Sequence, residues 1–82
     1  MTPKEMLLSA PDGQIAHSLF PLIEQWDDEP TSLQILEVID KSIYSALASS
    51  FVLKVLNIFL EQALERESKT LEDLVPLATW RN

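Results

Sequence analysis

Cysteine is absent from this chain, so neither a disulfide nor a thiolate metal site can supplement a small core, and packing alone must hold it. Glycine occurs once, at Gly13, which leaves no glycine-rich loop of the kind that cradles a phosphate. Histidine also occurs once, at His17, and no grouping of His, Asp and Glu has the spacing of a catalytic, metal or nucleotide motif. Cations are few: six Lys and Arg stand against thirteen Asp and Glu, a formal charge of −7. That balance argues against a broad phosphate-binding surface, because affinity for nucleic acid comes largely from cationic side chains that release counterions. Direct nucleic-acid binding is not expected, and a basic partner surface is the easier one to imagine.

Long uninterrupted apolar runs are missing as well. Met6-Leu7-Leu8 is shorter than the ~7–15 residues of a secretory signal core, so the cytoplasm is the expected location. The window from Ser42 to Leu60 carries one charge, Lys54, and neither proline nor glycine. A central lysine costs roughly 2.5–3.5 kcal/mol on insertion scales, and the same helical pattern continues into Glu37, Asp40, Glu61 and Glu65. No membrane span is expected.

What the chain does contain is enough apolar residue, 46% of 82 positions, to build one small core. Its organising stretch is Phe51 to Leu64, in which ten of fourteen positions are apolar. At 100° per residue, Phe51, Val52, Leu53, Val55, Leu56, Phe59, Leu60, Ala63 and Leu64 sweep roughly 220°, beyond the stripe of about 100° of a surface helix. Lys54, Asn57, Glu61 and Glu65 fill the remaining wedge, and Ile58 sits beside it. This reads as a core helix with one narrow face to water.

The flanking segments carry helix-start signals. Thr2-Pro3-Lys4-Glu5 has a cap, a proline at the first helical position and an acid at the third, so a short helix begins there and stops near Ser9 or Ala10, ahead of Pro11 and the Asp12-Gly13 turn. Residues 13–27 place Ile15, Ala16, Leu19, Phe20, Leu22, Ile23 and Trp26 on one arc of about 160°. Pro21 lies on the polar side, so the pattern predicts a kinked helix, with two short helices as the alternative.

Thr31-Ser32-Leu33-Gln34 repeats the capping box and predicts a third helix over 32–47. Its apolar side holds Leu33, Ile35, Leu36, Ile39, Ile43, Tyr44, Ala46 and Leu47. Val38 falls on the wet side, where truncation would change stability little. Ala48-Ser49-Ser50 breaks the chain before the core helix at 51–67, making an antiparallel hairpin. Thr70-Leu71-Glu72-Asp73 predicts a last short helix limited or kinked by Pro76, with Leu71, Leu74, Val75, Leu77 and Trp80 packing back on the hairpin. The expected fold is all-α: one domain over 1–82, a small bundle of about five helices around that hairpin.

Residues that could carry chemistry read better as ordinary ones. His17 falls on a polar helix face, Asp27-Asp28-Glu29 are consecutive and cannot converge on one ion unaided, and Glu61 and Glu65 lack the histidine partners of a bundle metal site. A helix-turn-helix reading around Ala48-Ser49-Ser50 fails because its second helix is the most apolar in the chain. No enzyme activity, cofactor or metal is expected. The expected function is a small acidic interaction module, an adaptor or regulator. The alternative is an acidic inhibitor, or nucleic-acid mimic, occupying a basic surface. The candidate surface is Trp26, Val38, Ile58 and Trp80 for apolar contact and Asp27, Asp28 and Glu29 for charge. The expected partner is another protein, and a two-fold homodimer through the Ile58 edge is an economical way to cover the apolar arc.

Overall fold

A computed structural model of the chain describes the backbone of residues 2–79 and the side chains of residues 2–73. Helix dominates, and among the described residues there is no strand. The elements are α1 (Pro3–Leu8), a single 3-10 turn (His17–Leu19), α2 (Phe20–Glu24), α3 (Ser32–Ser45) and α4 (Ser50–Thr79). Among the described residues there are thus four α-helices rather than the five expected, and α4 is the longest by far.

The predicted caps explain where three of the helices start. Thr2 Oγ1 accepts from the Glu5 amide at 3.2 Å and opens α1. At α3 both halves of the box form: the Gln34 amide donates to Thr31 Oγ1 at 3.2 Å and the Thr31 amide donates to Gln34 Oε1 at 3.0 Å. Ser49 opens α4 by accepting from the Val52 amide at 3.2 Å. Each bond satisfies one of the donors that a helix start leaves without an internal partner.

The expected last helix does not exist as a separate element. Thr70 does not cap; its hydroxyl donates to the Arg66 carbonyl at 3.2 Å, one turn back within a continuous helix. The backbone stays helical through Pro76 to Thr79. The predicted kinked helix over 13–27 is corrected too. Residues 12–14 turn at Gly13, whose φ of 86° lies in the left-handed region that glycine tolerates. Gln14 to Ala16 then run extended against the α3–α4 connection. The Ala16 amide donates to the Leu47 carbonyl at 2.7 Å and the Ser49 amide to the Gln14 carbonyl at 2.8 Å. Those bonds consume the backbone groups a helix would have used. Pro21 falls in the first turn of α2, where its missing N–H leaves no bond unmade.

The hairpin turns earlier than Ala48. Ala46 ends α3 in the left-handed conformation, φ 53° and ψ 44°. At the other end Ser32 donates to the Glu67 carboxylate through its amide at 3.1 Å and its hydroxyl at 2.8 Å, and Arg66 Nη2 donates to the Pro30 carbonyl at 2.7 Å. The start of α3 therefore lies level with residues 66–67 of α4, so the two helices are antiparallel and the last twelve residues of α4 project past α3.

The core is Leu7 from α1, Ile15, Leu19, Ile23 and Trp26 from the segment around α2, Ile35, Val38 and Ile39 from α3, and Val52, Leu56, Phe59 and Ala63 from α4. Val38 is fully buried, which overturns its assignment to the wet side of α3 and the small effect expected of truncating it. α3 packs on both α2 and α4, so it turns Ile35, Val38, Ile39 and Ser42 inward. Ser42 is admissible there because its hydroxyl donates to the Val38 carbonyl at 2.6 Å. The 220° arc of α4 is also narrowed: the buried quartet Val52, Leu56, Phe59 and Ala63 spans about 60°, and Phe51 at its edge is 67% exposed. The whole is elongated, 54 × 25 × 19 Å, with a radius of gyration of 15.4 Å against about 12 Å for a compact chain of this length.

Candidate functional site

Rotating α3 inward on Val38 leaves its other apolar residues without cover. Leu33, Leu36, Ile43 and Tyr44 are 76%, 43%, 66% and 91% exposed. On a helical wheel these four fall within about 100° of one another, with Asp40 among them and Glu37 at the border. On α4, Leu53, Leu60, Leu64 and Leu71 share a stripe about 40° wide; the first two are half-buried and the last two are 51% and 62% exposed.

The clamp of Ser32 to Glu67 fixes which edges adjoin. Glu67 lies on the same side of α4 as Leu60, so α3 sits beside the leucine stripe, and the exposed edge of α3 continues it. The result is one outward apolar face on the hairpin, formed from two helices, interrupted by Asp40 and bordered by Glu37, Lys41, Glu61 and Glu65, all exposed. Contiguous apolar surface of this kind is how a folded chain marks a contact region; singly scattered apolar residues are not.

The sequence-derived candidates distribute differently. Val38 and Trp26 are core residues, at 0% and 3% exposure, although Trp26 also lines an open depression beside Lys4, Asp27, Asp28 and Glu29. Trp26 is buried just past α2, which ends two residues before it, and its amide donates to the Ile23 carbonyl at 3.0 Å. Ile58 is 52% exposed, but on the edge of α4 away from the leucine stripe, on the side where Phe51 and Val55 border α1. Asp27, Asp28 and Glu29 are exposed, and Glu29 Oε2 lies 3.8 Å from Arg66 Nε. Trp80, like the side chains of Leu74, Val75 and Leu77, lies outside the described residues. Leu33, Leu36, Ile43, Tyr44, Leu64 and Leu71 are apolar and periodic in sequence, a pattern that predicts core, but the structure leaves them exposed.

Elsewhere the concavities are open, the widest of about 790 Å³ beside Lys4, Trp26, Asp27, Asp28 and Glu29. An open cleft of about 590 Å³ lies between Asp12–His17 and Ala46–Ser49, where His17 stacks on Phe20 with ring centroids 4.9 Å apart and lies 3.9 Å from the Asp12 carboxylate. Two of the backbone bonds along this cleft pair Ala16 with Leu47 and Ser49 with Gln14. A smaller apolar niche of about 160 Å³ separates α1 from the start of α4. Among the described residues no three metal-ligating side chains converge, and no helix is long and apolar enough to cross a membrane.

No family model, characterised protein or solved structure matches this chain.

Proposed function

We propose that this chain is a small acidic helical interaction module, an adaptor or regulator without catalytic activity, which works by burying the outer face of its α3–α4 hairpin against another polypeptide. The observation that carries this reading is that face: large apolar side chains on two adjoining helices, left exposed among the described residues and bordered mainly by acids. An extended apolar surface held by a firm core contributes binding when a partner removes it from water. The acidic border favours a partner with basic residues around an apolar centre.

The test is retention of partners from an extract of the native host by immobilised protein, comparing wild type with Leu36→Asp/Ile43→Asp. Both positions are exposed, so circular dichroism should show equal helicity. A protein retained by wild type and lost with the double variant supports the reading; identical retention by both would sink it. The alternative, an acidic mimic occupying a basic nucleic-acid-binding surface, draws on the exposed Asp27, Asp28 and Glu29. It predicts instead that Asp27→Asn/Asp28→Asn abolishes retention and that added polyanion displaces the partner.

A further inference from the structure

The leucine stripe of α4 has a property that its exposure alone does not convey. Leu53, Leu60, Leu64 and Leu71 are separated by 7, 4 and 7 residues, a spacing that reads the same from either end. Two such stripes laid antiparallel about a two-fold axis between Leu60 and Leu64 meet in register along their whole length. Leu60 then faces Leu64 of the second copy, and Leu53 faces Leu71.

We propose that this stripe is a self-association surface and that its occupant is a second copy of the chain, paired antiparallel through α4. The proposal rests on the reading of the hairpin face as a contact surface and names what covers it. Three observations favour a second copy over an unrelated helix. The first is the symmetric spacing, which a heterologous partner would not require. The second is Leu71, which lies past the Ser32–Glu67 clamp where α3 has already ended; within the chain α3 cannot reach it, whereas the start of α4 in an antiparallel copy does.

Charge supplies the third. Lys54 and Glu72 are both exposed on the same flank of the stripe, and the two-fold that aligns the leucines brings Lys54 of each copy within a turn of Glu72 of the other. Each dimer therefore carries two cross-chain ion pairs towards the ends of its seam, which favour this register, while the Glu61 side chains of the two copies approach each other on the same flank nearer the two-fold axis and oppose it. Repulsion between two acidic copies is softened by a screening length of about 8 Å at physiological ionic strength. The exposed edge of α3 with Leu36 and Ile43 adjoins the same interface, so two hairpins form a four-helix arrangement.

Sedimentation equilibrium of the full chain at micromolar concentration is the deciding measurement. Wild type should sediment at twice the 9.3 kDa of the monomer. Leu64→Lys should weaken association at least about tenfold, since it places an unpaired charge in the apolar seam, with helicity kept because Leu64 is half exposed in the single chain. Ile58→Lys, on the opposite edge, should leave the dimer intact. Lys54→Glu should weaken it, and adding Glu72→Lys should restore it; restoration by the double reversal is the outcome that neither a general surface effect nor a misfolded variant produces. A wild-type mass of 9.3 kDa up to the solubility limit, dissociation by Ile58→Lys but not Leu64→Lys, or failure of the double reversal to restore pairing each overturns the proposal. A monomer in this experiment leaves the partner-retention test unaffected, so the two ideas fail separately.

Discussion

Residues 50–67 and 68–79 of α4 belong to one helix, yet they live in different surroundings. In the first part Val52, Leu56, Phe59 and Ala63 are buried, with α3 packed along the helix, and Ser32 and Pro30 hold its far end through Glu67 and Arg66. In the second, every described side chain from Ser68 to Asp73 is exposed, Leu71 included. Helical periodicity is the same in both. What differs is whether a neighbour arrives to use it, because a helix of about a dozen residues is marginal on its own and gains most of its stability from the face it buries. The proximal part is the chain's core element; beyond it, residues 68–73 continue the helix with exposed side chains.

The largest effect that separates the two parts is cavity formation. Leu56→Ala, at a fully buried position, should lower stability by about 2–5 kcal/mol, whereas Leu71→Ala in monomeric protein should change it by less than about 0.5 kcal/mol. Urea unfolding of both variants checks this, and equal losses would show that the distal segment packs within the chain. The clamp between the parts comes next. Glu67→Ala leaves the buried Ser32 amide and hydroxyl without their acceptor and should cost about 1–3 kcal/mol. Hydrogen exchange should then show faster opening of the first turn of α3, with amides of residues 53–60 changed only by the global loss. If the α3 start stayed as protected as before, the clamp would not be what aligns the hairpin. The smallest effect lies at the other end of the hairpin. Ala46→Gly removes a Cβ from a left-handed position at some entropic cost in the unfolded chain, and should raise the urea midpoint by the equivalent of about 0.5–1 kcal/mol. A fall in the midpoint would mean that the turn is not strained by its alanine.

Helix starts were legible in the sequence and helix faces were not. Thr2, Thr31 with Gln34, and Ser49 act within three residues of themselves, so the sequence alone determines them. All-α character follows in the same way, from apolar spacing together with caps and the lack of alternating strands. The wheel of α3 offered more apolar residues than one face can bury, and nothing local says which of them turn inward. That was decided by the neighbours: α2 on one side and α4 on the other took Ile35, Val38, Ile39 and Ser42, and left Leu33, Leu36, Ile43 and Tyr44 outside. Pairing of Gln14 and Ala16 with Leu47 and Ser49 likewise replaced a plausible helix over 13–19, since contacts between residues more than thirty positions apart have no signature in either segment. Thr70 shows the same limit from the other direction: a cap signal lapses when the preceding helix is already formed and its next turn is available to extend. The sequence determined that the chain is helical and where most of its helices begin; only tertiary packing decided which apolar residues became core and which became surface, because burial depends on which elements meet.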